Sequence, residues 1–180
     1  MDAGAYIGDS ALLFSKYTDK LVYAFEPDRN NYNLMLKTIE INNLTDKIMP
    51  VNKGLGDKIS EMFIANNGEG AAAFFISAEP IGNDETAQII TIDNFVRENN
   101  LNIGLIKTDV EGFEINLLNG AKETIKAQRP IMLISIYHNA RDFFEIKPLI
   151  ESWKLNYRFQ IRKYIASHIF GDTMLICLPN

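Results

Sequence analysis

Two glycines near the start of the chain could bring the backbone close to a charged ligand. The stretch Asp2–Ser10 carries glycine at positions 4 and 8, and the apolar residues 11–14 follow it. Glycine lets the backbone turn tightly and approach a ligand without an intervening Cβ. If a helix begins after this loop, its first N–H groups favour a carboxylate. Asp2 could then accept a hydrogen bond from an ammonium group of the same ligand, directly or through water.

Glu26 is the second residue that indicates ligand binding. It directly follows the apolar run 21–25, which is typical of a buried strand. An acid at the end of such a strand can accept hydrogen bonds from ribose hydroxyls. Two glycines four residues apart are weak evidence alone, because Gly4 could be a turn residue and Ser10 a helix cap. Combined with Glu26 they favour a nucleotide-bearing ligand, although Tyr6 breaks the dinucleotide spacing G-x-G-x-x-G.

Three side chains in the second half of the chain could accept a proton from a hydroxyl group. Asp109 follows the apolar run 105–108, Glu111 lies two residues further on, and His138 follows the run 131–136. The carboxyl ends of parallel strands meet at one edge of a sheet, so we expect these side chains to lie near each other. A histidine with an ordinary pKa of about 6.5 suits proton acceptance at neutral pH.

Each of these residues also has a purely structural interpretation. Asp109 and Glu111 could cap the helix that follows them, and His138 could be a hydrogen-bonded histidine at a strand end. Lys107 is a further catalytic candidate, but its alternation with apolar neighbours also suits a structural pair with an acid. Asp2, Asp109 and His138 are too scattered to predict a metal site, so we expect that no metal is required.

The elements that must position these residues are short apolar runs alternating with helical patterns. The predicted strands are 21–25, 48–51, 89–92, 105–108 and 131–136, and the predicted helices begin near Asp28, Asp93, Phe113 and Phe143. Asp93 is expected to cap its helix, and Gly120 to interrupt or end the helix from Phe113. Segments 59–65 and 71–77, joined by Asn66-Asn67-Gly68, predict an inserted hairpin. With extended segments at 157–161 and 173–178, the pattern predicts an α/β fold with a Rossmann-like, doubly wound, mostly parallel sheet and a C-terminal antiparallel hairpin.

Composition narrows the possible partners. The 180 residues are 47% hydrophobic and 23% charged, which is typical of one globular domain spanning residues 1–180. The formal net charge of −5 argues against nucleic-acid binding, which needs a basic face. No apolar run reaches the roughly 18 residues of a membrane-spanning helix, and the first residues lack a signal-peptide pattern. The single cysteine, Cys177, cannot form an internal disulfide. We therefore expect a cytoplasmic protein without a membrane partner; the oligomeric state cannot be read from the sequence.

The order of these motifs resembles that of the FkbM-type methyltransferases over residues 2–138. The resemblance is carried by the loop from Asp2 to Ser10, Phe25-Glu26-Pro27, Thr91-Ile92-Asp93 and the block Ile106-Lys107-Thr108-Asp109-Val110-Glu111-Gly112-Phe113-Glu114. The pattern K-x-D-x-E-G-x-E within that block is its most specific part. The resemblance implies class I methyltransferase architecture. Because only Met1 precedes Asp2, we expect the central first strand to be truncated.

The resemblance implies S-adenosylmethionine as methyl donor and, commonly, a hydroxyl as acceptor. It places the block from Lys107 to Glu114 beside the transferred methyl group. The predicted cofactor-binding residues are Asp2, Gly4, Ala5, Tyr6, Gly8, Asp9, Ser10, Glu26, Pro27 and Asp109.

The leading hypothesis is therefore O-methylation of a saccharide or another small molecule. Two alternatives remain open, namely a non-catalytic cofactor- or partner-binding remnant of the fold and a nucleotide-dependent oxidoreductase, which the loop spacing disfavours. Segment 57–88 and a cluster near the C-terminus could recognise the acceptor, although a solvated surface is the simpler interpretation of that cluster. Its residues are Tyr157, Arg158, Arg162, Lys163 and Tyr164.

Overall fold

The computed structural model describes residues 1–66, 74–77, 85–163 and 172–180. The strands are β1 (Asp2–Ala3), β2 (Val22–Phe25), β3 (Ile48–Val51), β4 (Gly54–Leu55), β5 (Ser60–Asn66), β6 (Phe74–Ser77), β7 (Glu85–Ile90), β8 (Leu105–Thr108), β9 (Ile131–Ser135), β10 (Tyr157–Lys163) and β11 (Thr173–Pro179). The helices are α1 (Asp9–Phe14), α2 (Arg29–Ile41), α3 (Ile92–Glu98), α4 (Glu114–Gly120), α5 (Lys122–Gln128) and α6 (Ala140–Ser152). No helix within these ranges has the length and apolar character needed to cross a bilayer.

Seven strands form the main sheet in the order β10-β11-β9-β8-β1-β2-β3. The five strands from β9 to β3 are parallel, whereas β11 runs antiparallel to both β9 and β10. This arrangement confirms the predicted α/β fold with a mostly parallel sheet and a C-terminal antiparallel hairpin. The winding direction reverses at β1, because β2 and β3 lie on one side of it and β8 and β9 on the other.

The first strand is short but it occupies the centre of the sheet. Asp2 pairs with Ala24 on β2 and with Lys107 on β8, and Ala3 pairs with the next residue of each strand. The backbone of Met1 extends this contact, since its carbonyl accepts the Lys107 N–H at 2.9 Å. The two neighbouring strands are therefore bridged at the position where the sequence predicts a truncated strand.

The predicted insertion is larger than one hairpin. Strands β5 and β6 pair antiparallel as expected, and the turn expected at residues 67–68 lies outside the described residues. Strand β7 was expected in the main sheet, but it pairs with β5 and β4 in a separate four-stranded sheet of order β4-β7-β5-β6. That prediction was wrong because β4, which anchors β7, has only two residues and leaves no periodic signal in the sequence.

Side chains at the helix starts accept hydrogen bonds from the first backbone N–H groups of the helices. Asp28 caps α2 by accepting the Asn31 N–H, and Thr91, rather than the predicted Asp93, caps α3 by accepting the Asn94 N–H. Asp93 instead accepts the N–H groups of Glu123 and Thr124 at the start of α5. Helix α4 ends at Gly120, as predicted.

Apolar side chains fill both faces of the main sheet. One cluster packs Ile106, Met132 and Ile134 of the central strands against Leu117 and Ile146 of the helices. A second, smaller cluster places Met35 and Ile39 of α2 against β2 and α1. These two clusters hold the carboxyl ends of β1, β2 and β8 at a common edge.

Candidate functional site

Loops from both sides of the winding reversal meet at this edge. The loop after β1 begins at Gly4, whose φ is +72°, and an ideal Cβ built there would lie 1.8 Å from the carbonyl oxygen of Asp109. Only glycine fits that approach without displacing the backbone of the loop after β8. The Asp109 N–H in turn donates to the Ala3 carbonyl at 3.0 Å. The first loop and the Asp109 segment therefore pack backbone to backbone.

The loop after β1 is also fixed to the end of β2. The N–H groups of Gly4 and Ala5 both donate to the Phe25 carbonyl, at 3.1 and 3.0 Å. Tyr6 adopts a left-handed conformation with φ of 50°, and its N–H donates to Glu26 Oε2 at 2.9 Å. Glu26 therefore stabilises the conformation of the loop after β1 through this hydrogen bond.

Burial makes Glu26 an unusual carboxyl group. Only 6% of the residue is exposed, and Oε1 accepts the Asp28 N–H at 3.0 Å. Burial raises the pKa of Glu26 to about 7, although the two backbone hydrogen bonds favour its ionised form. Each carboxylate oxygen has a second lone pair beyond the one that accepts the backbone N–H. Glu26 can therefore still accept hydrogen bonds from ligand hydroxyls.

A buried ion pair lies beneath the loop. Lys107 Nζ is 3.2 Å from Asp2 Oδ1 and donates to the Gly4 carbonyl at 2.8 Å. Ser10 Oγ donates to Asp2 Oδ2 at 2.6 Å, and Asp2 is fully buried. The structural pairing that we considered for Lys107 is therefore present, and Asp2 uses its carboxylate to join β1, β8 and the start of α1.

A cavity of about 310 Å³ opens above these loops, within the usual range for small-molecule sites. Its lining includes the apolar residues Phe25, Leu55, Ile64 and Val110 as well as charged and polar residues. The sequence-predicted residues along it are Gly4, Tyr6, Asp9, Ser10, Glu26, Pro27, Lys107, Asp109 and Glu111.

Four predicted residues do not line the cavity. Asp2 is buried against Lys107, Ala5 is fully buried in the smaller core cluster, and Gly8 caps α1 with its Cα side against Met35. His138 lies behind Asp109, with 7% of its side chain exposed. The structure thus gives Asp2, Ala5 and Gly8 supporting positions, and His138 reaches the cavity only through its neighbours.

His138 lies among three carboxylates of the segment from Asp109 to Glu114 that follows β8. Its Nε2 is 3.2 Å from Asp109 Oδ1 and 3.5 Å from Glu111 Oε2, and its Nδ1 is 2.9 Å from Glu114 Oε1. Tyr137 adds a hydrogen bond from its hydroxyl to Asp109 Oδ1 at 3.2 Å. Neither Asp109 nor Glu111 caps α4, which begins without any side-chain cap bond. These two acids are therefore available to the cavity.

The carboxylates change the protonation of the imidazole. Burial alone would lower the pKa of His138, but Asp109 and Glu114 outweigh it and raise the pKa to about 10. Without a bound ligand, His138 therefore carries its proton at neutral pH, in contrast to the ordinary pKa on which its expected role as a base depends. Burial would likewise raise the pKa of Asp109, but His138 and Lys107 hold it below its usual value.

Several residues at this site were not among the predicted ones. Asn31 and Lys53 line the cavity, and Glu114, Tyr137 and Asp142 surround Asp109 and His138. Lys53 follows β3 at the same sheet edge, so the rule that directed attention to Glu26 could also have found it. Glu114 closes the most specific motif of the block, but nothing in the sequence shows that it faces His138.

Comparison with known proteins identifies the family. The sequence profile of the Methyltransferase FkbM domain matches residues 2–165. The chain belongs to the FkbM methyltransferase family. No curated protein sequence is significantly similar to this FkbM-family chain.

Solved structures share the fold of this FkbM-family chain. The methyltransferase FkbM from Methylobacillus flagellatus KT superposes with a TM-score of 0.77 at 24% identity, covering 98% of this chain and 42% of that one. A putative rRNA methylase from Clostridium thermocellum gives 0.57 at 10% identity, covering 99% and 83%. The N-terminal domain of human METTL16, solved in complex with SAH, gives 0.56 at 13% identity, covering 98% and 58%. The chain thus spans less than half the length of the FkbM structure from Methylobacillus.

Proposed function

We propose that this chain binds S-adenosylmethionine in the 310 Å³ cavity and transfers its methyl group to a hydroxyl of a saccharide or another small molecule. The observation that carries the proposal is the junction of Gly4, Glu26 and Asp109 around one cavity at the winding reversal of the sheet. Ligands of open α/β sheets bind at such reversals. The SAH in the METTL16 structure, which is the demethylated form of this donor, supports the same cofactor here.

The residues present suit the proposed cofactor. Glu26 is placed to accept hydrogen bonds from the ribose hydroxyls, and the apolar walls formed by Phe25, Leu55 and Val110 suit an adenine ring. Ser10 and Asp9 offer polar groups near the loop after β1, where the amino-acid end of the cofactor would lie. Lys107 forms an ion pair with Asp2 beneath the loop. It also donates a hydrogen bond to the Gly4 carbonyl, which holds that carbonyl in place.

Methyl transfer from a sulfonium is a displacement with a neutral leaving group, so the protein mainly has to position donor and acceptor. Such positioning can contribute about 7–11 kcal/mol to the barrier reduction. A hydroxyl acceptor also has to lose its proton as the new C–O bond forms. Asp109 and Glu111 both line the cavity, and either carboxylate would receive that proton from an acceptor hydroxyl bound beside it. Proton acceptance of this kind contributes about 10²–10⁴-fold in rate.

The acceptor is proposed to be uncharged or cationic rather than a nucleic acid. The chain carries a formal net charge of −5, and the acceptor end of the cavity is bordered by Asp109 and Glu111. A polyanion would be repelled there. Near the C-terminus, Tyr157 is excluded as an acceptor-binding residue because its buried hydroxyl donates to the Pro130 carbonyl at 2.8 Å.

Calorimetric titration of the folded protein with S-adenosylmethionine and with S-adenosylhomocysteine tests the cofactor assignment. We expect one site per chain, with binding weakened by substitution of Glu26. A folded sample that binds neither compound would contradict the proposal. Mass-spectrometric detection of a transferred methyl group on a panel of sugars and small alcohols tests the reaction. Binding without transfer to any acceptor would leave the alternative of a non-catalytic remnant.

A further inference from the structure

Two buried side chains stand behind the carboxylates that line the cavity. The side chains of Asp109 and Glu111 are 33% and 30% exposed, whereas those of His138 and Glu114 are 7% and 0% exposed. The proposed methyl transfer gives the first two residues a role and the second two none. Because burying an ionised carboxylate is costly unless it is paired, the contacts of Glu114 indicate what this buried layer stabilises.

Glu114 contacts both the imidazole ring and the loop that carries the cavity carboxylates. Its Oε1 atom lies 2.9 Å from His138 Nδ1 and accepts the Val110 N–H at 3.0 Å. Val110 lies between Asp109 and Glu111, so this hydrogen bond fixes the backbone that carries both acids. Glu111 has a φ of 55°, a strained conformation that persists only where the surrounding structure imposes it. Glu114 therefore positions the ring and the strained loop together.

The other side of the His138 ring meets the two cavity carboxylates. Its Nε2 atom is 3.2 Å from Asp109 Oδ1 and 3.5 Å from Glu111 Oε2. A neutral imidazole has a single N–H, so its other nitrogen would direct a lone pair at a carboxylate oxygen. Carboxylates beside both nitrogens therefore favour the doubly protonated ring. Burial lowers the pKa of His138, but Asp109 and Glu114 outweigh it and raise the pKa to about 10, in agreement with this form.

The remaining charges near the ring do not take over this role. Lys107 is paired with Asp2 at 3.2 Å. Asp142, at the start of α6, adds a further acid beside Glu114, and burial together with Glu114 raises the pKa of Asp142 to about 6. The titratable groups that surround the ring are Asp109, Glu111, Glu114, Tyr137 and Asp142. The proton on the imidazole therefore balances a mainly acidic environment.

We propose that Glu114 and His138 are positioning residues that hold the Asp109 and Glu111 carboxylates side by side and ionised. Glu114 keeps a proton on each nitrogen of the ring, and the Nε2 side of the imidazolium holds the two acids at the cavity. The role in catalysis rests on the proposed function. As the acceptor oxygen takes the methyl group from the sulfonium, its proton passes to Asp109 or Glu111, and the donor leaves as a neutral thioether. His138 keeps its own proton, so the expectation that it acts as the base would be wrong.

Nuclear magnetic resonance of the imidazole nitrogens tests the pair without any activity. The chain has two histidines, so His168→Gln leaves a single imidazole to observe. We expect both nitrogens of His138 to remain protonated from pH 6 to 9. Glu114→Gln keeps the size of the side chain but should lower the pH at which His138 loses its proton by about 1–3 pH units. An imidazole that is neutral at pH 7 with Glu114 in place overturns the proposal, whether or not Glu114→Gln folds.

Glu145→Gln is the matched control for this titration. Glu145 is an acid on α6 whose side chain is 56% exposed, and its partner is Arg141. Its substitution should leave the titration of His138 unchanged. An equal change in the Glu145 and Glu114 variants would contradict a specific pairing of Glu114 with the ring.

The pH dependence of methyl transfer tests the positioning role in the reaction. An opposite charge nearby favours the ionised carboxylate, so His138→Gln should move the acidic limb of the single-turnover pH–rate profile upward by about 1–3 pH units. Affinity for S-adenosylmethionine should change little, because His138 does not line the cavity. A rate lowered by one factor at every pH, with the limb in place, would indicate a merely structural role and overturn the proposal. A doubly protonated His138 in a folded protein that binds no S-adenosylmethionine would support the pair and contradict only the proposed function.

Discussion

The Cα of Gly4 and the carbonyl of Asp109 are in such close contact that a Cβ at position 4 would lie 1.8 Å from the carbonyl oxygen. This contact joins the loop after β1 to the segment after β8. One loop carries the groups proposed to hold the cofactor, and the other carries the acids proposed to act on the acceptor. The close approach of the two loops therefore depends on the absence of a side chain at Gly4.

Gly4→Ala should destabilise the protein and weaken cofactor binding. The substitution adds a Cβ that must displace the Asp109 backbone, at a φ that residues other than glycine adopt at a cost of about 1–3 kcal/mol. Chemical denaturation measures the loss. Gly104→Ala is the matched control, because an added Cβ there meets no atom within 4 Å. Equal stability of the two variants would contradict this role of Gly4.

Glu26→Gln should weaken binding of S-adenosylmethionine by about 10–100-fold, the range expected when charge-assisted hydrogen bonds worth about 1.5–3 kcal/mol are lost. The variant keeps the size of the side chain, but an amide cannot accept from both the Tyr6 and Asp28 N–H groups while also accepting from a ribose. Calorimetry gives the affinity. Glu40→Gln, on the exposed face of α2, should bind like the native protein.

The raised pKa of Glu26, about 7, predicts opposite pH trends for stability and for binding. Between its ordinary value of about 4.5 and 7, the folded state keeps a proton that the unfolded state has released, so this group's contribution to stability falls as pH rises through that window. Cofactor affinity should instead increase with pH through about 7, because the ionised carboxylate accepts ribose hydroxyls. Titrations from pH 6 to 8 measure the second trend, and Glu26→Gln should flatten it.

Lys107→Met should destabilise the protein by about 3–5 kcal/mol, because it leaves the Asp2 carboxylate buried without its cation. The lysine side chain is 10% exposed and the aspartate side chain 0%. Adding Asp2→Asn to Lys107→Met removes the uncompensated charge, so the double variant should be more stable than Lys107→Met alone. Denaturation of both variants and of Asp2→Asn completes the cycle, and strictly additive losses would argue against the pair.

Glu111→Gln should slow methyl transfer by about 100-fold or more while changing cofactor affinity little. The carboxylate lines the cavity, where it is proposed to receive the hydroxyl proton. Single-turnover kinetics with a responsive acceptor gives the rate. Glu123→Gln, whose side chain is 73% exposed on α5, is the control. An unchanged rate would remove Glu111 from the chemistry.

The sequence predicts site residues best where a side chain directly follows a strand. Glu26 and Asp109 were predicted at the site because parallel strands end at a common edge, and both line the cavity. Asp2 and Lys107 were also predicted at the site. Their contact with each other depends on the register between β1 and β8, which cannot be predicted from either segment alone. The same holds for Glu114 and His138, whose contact joins the start of α4 to the segment after β9.

Two local predictions failed, one because two possible helix caps lie close together and one because a strand is very short. Thr91 and Asp93 are both good helix caps, and their order along the chain does not show which one faces its own helix. Asp93 instead joins α3 to the start of α5. The four-stranded sheet was missed because the β4 residues Gly54 and Leu55 are too few to show alternation.

The winding reversal at β1 also has a consequence for protein engineering. Contacts proposed for the donor come mainly from segments after β1 and β2, whereas the groups beside the acceptor come from segments after β8 and β9. Libraries that randomise the neighbourhood of Tyr137 should therefore alter which alcohol is modified while the donor-binding half of the pocket is left intact.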